Sequence, residues 1–141
     1  MPHSIMFIDV RKKFTEEKNI TDNHFFREVK KGLNIYGICE RKKCKAFKKE
    51  VVISFTENKI FDMPLERDSL ECPVCGSWIF PSNIGFNFCE YQIEGKIIEC
   101  NALKNFEISG ESRNINIIQS FSPKKCGKTL FQKLTIKVIY F

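Results

Sequence analysis

The sequence predicts a β-rich fold, all-β or small α+β, on three observations. The apolar content is aromatic and β-branched, with 14 Phe and abundant Ile against almost no Ala in 141 residues, a composition that suits pleated strands better than helices. Several short segments alternate apolar and polar residues with period two, the signature of half-buried strands. Two cysteine clips, Cys39-Glu40-Arg41-Lys42-Lys43-Cys44 and Cys72-Pro73-Val74-Cys75-Gly76, bracket one of the predicted hairpins.

Residues 1–21 read as an N-terminal extension, in which residues 4–10 can form a strand and residues 11–19 are a charged, weakly patterned linker. The domain proper is assigned to residues 22–141. Residues 22–32 fit either a short helix capped by Asp22 and stopped at Gly32 or an extended lead-in ending at Gly32. Residues 51–55 and 59–63 read as the two arms of a hairpin around a turn at Glu57-Asn58. After the second clip, Trp78-Ile79-Phe80 is followed by turn signals at Pro81-Ser82-Asn83 and Gly85. Residues 88–92 and 96–100 flank Glu94-Gly95 as a further hairpin, with Cys89, Tyr91 and Ile93 on one face and Glu90, Gln92 and Glu94 on the other. Residues 114–117 and 134–138 also alternate, and the latter is expected to close the sheet. No internal repeat stands out.

The clips carry the chemistry. A Cys-x-x-Cys closed by Gly folds the backbone under a metal so that peptide N–H groups can face the sulfurs; Pro73 stiffens that turn and Gly76 supplies the positive φ. Two clips together give four thiolates, a set that suits tetrahedral Zn2+ and leaves no open position for substrate. The expectation is therefore a zinc-ribbon-like domain with β-hairpins around a four-cysteine site, ligated by Cys39, Cys44, Cys72 and Cys75. Arg41, Lys42 and Lys43 would offset the surplus negative charge.

The totals narrow the setting. At 141 residues and 16.5 kDa the chain fits one domain plus an extension. A mean hydropathy of −0.25 with 28% charged residues describes a folded chain and not a disordered one. Seven cysteines is an odd number for a disulfide framework, residues 5–8 are too short for a leader core, and Arg11, Lys12 and Lys13 follow that segment instead of preceding it. No apolar run approaches the roughly 18 residues of a membrane span. Reduced thiols point to the cytoplasm or nucleus.

Taken in order, Gly32-Leu33, Gly37, Cys39, Cys44, Ala46, Phe61-Asp62, Cys72-Pro73, Cys75, Pro81, Gly85-Phe86, Cys89, Tyr91 and Gly95 form a series with the pattern G-L-x-x-x-G-x-C, C-x-A, F-D, C-P-x-C, P, G-F, C, aromatic, G. In this the chain resembles a little-characterised zinc-binding domain of protists and fungi, over roughly residues 26 to 100. The resemblance implies the same four ligands, makes Cys89 a candidate additional ligand, implies no catalytic residue, and associates the domain with ubiquitin-like modules. The chain departs from the pattern inside the first clip and in the turn before Phe61.

An enzyme is not expected. A nucleophilic cysteine needs a base, and the two histidines are His3 near the terminus and His24 outside the motifs. Cys126-Gly127-Lys128-Thr129 has the tail of a phosphate loop, but the leading Gly would fall on Ser122, so it reads as a surface turn. A cross-braced site of eight ligands is not supported by the scattered Cys89, Cys100, Cys126 and His24. The function expected is a non-catalytic recognition module that binds a protein or peptide, with Trp78 as a candidate anchor and a ubiquitin-related pathway implied by the resemblance. The alternative is a nucleic-acid-binding zinc ribbon, in which Arg41, Lys42, Lys43, Lys45 and Lys48 meet phosphates beside Phe47. The net charge of +6 is too moderate to choose between them.

Overall fold

The computed structural model describes residues 4–20, 25–55 and 60–141. Within them the strands are β1 (Ile5–Ile8), β2 (Thr15–Asn19), β3 (Gly32–Ile38), β4 (Glu50–Phe55), β5 (Phe61–Asp62), β6 (Phe80–Asn87), β7 (Cys89–Glu99), β8 (Ala102–Ser112), β9 (Ile117–Phe121) and β10 (Lys128–Tyr140). Two single-turn helices interrupt them, α1 (Met63–Glu66) and α2 (Pro123–Cys126). All ladders between named strands are antiparallel, and the β-rich class predicted from composition and alternation is what is observed. One sheet has the order β1-β10-β7-β8, with β5 sharing the β1 edge of β10; the other runs β2-β9-β6-β3-β4.

The sheets share one hydrophobic core built from Phe7, Phe61, Phe86, Phe121, Phe131 and the Ile and Leu residues between them. Each such side chain contributes about 1.5–3 kcal/mol by leaving water. Tyr91 of β7 ties one sheet to the other: its ring stacks on Phe86 of β6 at 3.8 Å between centroids, and its hydroxyl donates to Gln119 Oε1 of β9 at 2.6 Å.

Residues 5–19, read from the sequence within an extension, supply a strand to each sheet. Ile5, Phe7, Ile8 and Val10 are buried. The linker reading of residues 11–19 is corrected: Val10–Lys12 is a turn of 3-10 helix capped by the Asp9 carboxylate, and Thr15–Asn19 pairs along β9. As an edge strand with almost every side chain in water, β2 has no apolar alternation to betray it. For residues 22–32, Asp22 lies outside the described residues, Phe25–Arg27 forms a 3-10 turn, and Gly32 opens β3.

Both predicted hairpins are redrawn. β4 pairs with β3, whereas Phe61 and Asp62 cross to the other sheet and pair with Ile136 and Thr135; the turn at Glu57-Asn58 lies outside the described residues. The buried Phe61 ring meets Phe55 edge-on at 4.8 Å, so the crossing itself is filled by core contact. Pro81, Ser82, Asn83 and Gly85 are strand residues of β6, not a turn. The ladder to β3 slips there, Tyr36 facing Asn83 and Gly37 facing Pro81, and a proline is tolerated at such a bulge.

Glu94-Gly95 is likewise no turn. The alternation that begins at Cys89 continues through Gly95 to Ile97, and the chain reverses at Cys100 and Asn101, whose φ values of 51° and 62° match the handedness of a two-residue hairpin loop. Gly95 pairs with Leu134, next to a bulge in β10 between Phe131 and Lys133, and a Cβ there would run into the Lys133 carbonyl oxygen. The glycine thus permits a close backbone approach. Residues 114–117 are a turn entering β9 at Ile117, and residues 134–138 belong to a central strand instead of closing an edge. No helix among the described residues is long and apolar enough to cross a membrane.

Gly95→Ala is expected to lower stability by at least about 1–3 kcal/mol, the usual cost of forcing atoms into a packed interior, read as a lower midpoint in urea unfolding. An unchanged midpoint would contradict the close approach of β7 and β10.

Candidate metal centre

The first clip leaves the end of β3. Cys39 follows Ile38 directly, and the loop returns on itself so that Lys48 N donates to Cys39 O at 2.8 Å and Phe47 bridges to Cys39. Inside it, Cys44 N donates to Arg41 O and Phe47 N to Cys44 O, both at 3.0 Å. The second clip lies just before β6. Cys72 N donates to Ser77 O at 2.8 Å and Gly76 N to Cys72 O at 2.9 Å, while Gly76 takes φ +75° and a Cβ there would meet no atom within 4 Å. Gly is required there for conformation, not for space.

These turns bring Cys39, Cys44, Cys72 and Cys75 together, with all four Sγ atoms within 4.8 Å of one another. Cys39 and Cys75 approach to 3.7 Å and Cys44 and Cys72 to 3.8 Å. A disulfide would need about 2.05 Å, whereas four sulfurs at about 2.3 Å from a tetrahedral ion lie about 3.8 Å apart. Two of the sulfur pairs match that spacing and all four sulfurs lie within 4.8 Å, so the cluster could hold a metal ion. Peptide N–H groups already face it, Ala46 N donating to Cys44 Sγ at 3.3 Å and Val74 N to Cys72 Sγ at 3.4 Å.

The protein alone treats these thiols unevenly. Burial pushes Cys39 up to about 12 and raises Cys44, while hydrogen bonding from the Ser77 side chain and backbone draws Cys75 down to about 6. A cation held by Cys39, Cys44, Cys72 and Cys75 would remove the conflict by stabilising every thiolate at once. Cys75 is half-buried and the other three are buried, so one edge of the cluster faces solvent.

Around the cluster, the cations singled out in the sequence, Arg41, Lys42, Lys43, Lys45 and Lys48, are exposed. Phe47 is half-buried, with Lys48 Nζ 5.3 Å above its ring. Trp78 is 49% exposed and fixed in place, its indole N–H donating to Arg67 O at 2.8 Å. Sequence reasoning missed Phe80. It is 47% exposed and stands edge-on to Trp78 at 5.9 Å, and the alternation of Trp78 and Phe80 about the buried Ile79 was the signal that would have found it.

The remaining cysteines lie apart. The metal cluster among the described residues does not include Cys89, which is buried where β7 meets β10, its thiol pushed up to about 11 by burial. Cys126 is buried at the end of α2, its thiol donating to Phe14 O at 3.5 Å, and Cys100 is exposed in the β7–β8 loop. His3 and His24 lie outside the described residues. Residues 126–129 run from helix to strand, the reverse of the strand-to-helix order a phosphate loop requires.

Cys72→Ser is expected to lose bound metal and cooperative thermal unfolding together, because structural metal binding is coupled to folding; Cys100→Ser should leave both as in the parent. Metal content by elemental analysis alongside circular dichroism checks the pair. No model of a known protein family, no curated protein and no solved structure matches this chain.

Proposed function

We propose that Cys39, Cys44, Cys72 and Cys75 hold one structural Zn2+ and that the domain is a non-catalytic recognition module whose working surface the ion orders. The observation that carries the proposal is the convergence of four sulfurs within 4.8 Å, two of the pairs at 3.7 and 3.8 Å. An all-sulfur set suits zinc, and four protein ligands leave no place for substrate or activated water. The zinc-ribbon likeness is proposed for this end of the molecule, where a turn after β3 and a turn before β6 face one another across the cluster. The seven free thiols suit a reducing compartment, the cytoplasm or nucleus.

The partner is read from what surrounds the ion. Arg41, Lys42, Lys43, Lys45, Lys48 and Lys49 are all exposed on the first clip, and two exposed aromatic rings stand on the second. That combination supports a polyanion, and of the two partner classes weighed from the sequence it favours nucleic acid. A protein or peptide is the second reading. It draws on the outer edge of β8, which among the described strands pairs with β7 alone, and an extended peptide can add to such an edge. A ubiquitin-related role draws on the family resemblance.

Elemental analysis of the untagged chain is expected to give one zinc per chain, and chelation should release four thiols with loss of the folded signal. Two zincs per chain, or a folded chain with none, would overturn the proposal.

A further inference from the structure

Trp78 and Phe80 are unusual for exposed aromatics in being held. The Trp78 indole N–H is already satisfied by Arg67 O, so its ring is fixed while half its surface remains in water. The Phe80 backbone is fixed by strand pairing, opposite Ile38 on β3, one residue before Cys39, and its ring packs edge-on against Trp78. The rings stand at 89° to one another. A flat group lying on one ring therefore meets the edge of the other, which is a favourable aromatic arrangement. Neither ring must be ordered on binding, so the entropic cost of using it is small.

The same sulfur cluster joins this pair to the basic loop, since Cys39 and Cys44 bound one side and Cys72 and Cys75 the other. Six cations are exposed between residues 41 and 49, with Glu40 and Glu50 at the loop's two ends. No ion pair is found for these cations among the described residues. The rings follow one clip and the cations fill the other, with the sulfur cluster between them, and the acid set opposite Trp78 is Glu71; held aromatic faces and exposed cations are the two components of a single-strand site, one taking base faces and the other phosphates.

We infer that the clip face binds single-stranded nucleic acid, with bases stacking on Trp78 and Phe80 and phosphates meeting Lys42, Lys43 and their neighbours. The inference rests on the reading of the metal-ordered end as the recognition surface. Single strands are specified over duplex because base faces are open only where the neighbouring base is unstacked, whereas a duplex offers its base edges in the grooves.

Trp78 is the sole tryptophan, so its fluorescence reports on the site directly. The zinc-loaded full chain is titrated with fluorescein-labelled oligo(U), oligo(dT) and a duplex of about 12 nucleotides or base pairs, a length within single-strand site sizes. Single strands are expected to bind more tightly than duplex and to quench Trp78; tighter binding of oligo(U) assigns RNA, and of oligo(dT) assigns DNA. The double variant Lys42→Glu/Lys43→Glu should weaken binding and flatten the slope of log affinity against log salt by about 1.4, at about 0.7 per phosphate contact. Trp78→Ala and, separately, Phe80→Ala should weaken binding about 5- to 150-fold at unchanged salt slope. Zinc content and melting temperature of each variant confirm that the site is intact. Duplex bound as tightly as single strands, or binding without quenching, overturns the inference while leaving a polyanion partner. No binding by a chain carrying one zinc overturns the nucleic-acid assignment and leaves the peptide reading, whereas a folded chain without zinc overturns the metal-centred proposal itself.

Discussion

Four sulfurs within 4.8 Å of one another fasten residues 28 and 36 apart in sequence, and the organisation of the molecule's basic and aromatic end depends on that junction. Neither clip has a regular element of its own; both are stacks of turns whose backbone bonds are short-range. What fixes them is that Cys39, Cys44 and Cys72 are also members of the hydrophobic core, continuous with Val51, Leu70 and Ile79. The junction is thus both the end of the core and the floor of the exposed surface. Burial resists ionisation of Cys39 and Cys44, and the backbone N–H groups of Arg41 and Ala46, which face those two sulfurs, work against that resistance.

The sequence is most legible where one side of a strand is buried and the other wet. Cys89 to Ile97 is such a case, and its alternation is seen in β7 without interruption. The two clips are legible because ligand chemistry constrains spacing locally, and Gly76 takes the conformation its position after Cys75 predicts. Glycine and proline misled where their role was tertiary. Gly95 reads as a turn but serves a close contact with a strand about 40 residues away, and Pro81 reads as a turn but sits at a bulge. Nothing within a few residues of either position carries that information. The real reversal at Cys100 and Asn101 lacks glycine altogether; Asn suits its positive φ, but Cys100 beside it is a residue that seldom takes one, so the pair does not read as a turn.

Partner choice between strands was the least visible property. β4 and the segment at Phe61 are neighbours in sequence and lie in different sheets, because β3 offers β4 a full ladder while β10 offers Phe61 a buried position. The edge strand β2 gives no apolar signal, being held by backbone bonds to β9 that any residue can make. Near the sulfur cluster, local sequence names the cations, but only the pairing of β6 with β3 sets Phe80 opposite Ile38, the residue before Cys39.

The position of β10 has a consequence for how the molecule assembles. It is the last strand in order, yet β1, β5 and β7 all take their place against it. Until it is synthesised, β1 and β5 have no ladder to join and one edge of β7 has no partner. Contacts spanning most of the chain must then form together, a topology that folds slowly and leaves unpaired edges open to wrong partners in the meantime. The β3–β4–β6 ladders form without β10, but their inner face is buried in the core that β10 shares, so the two sheets must close on one another to complete either.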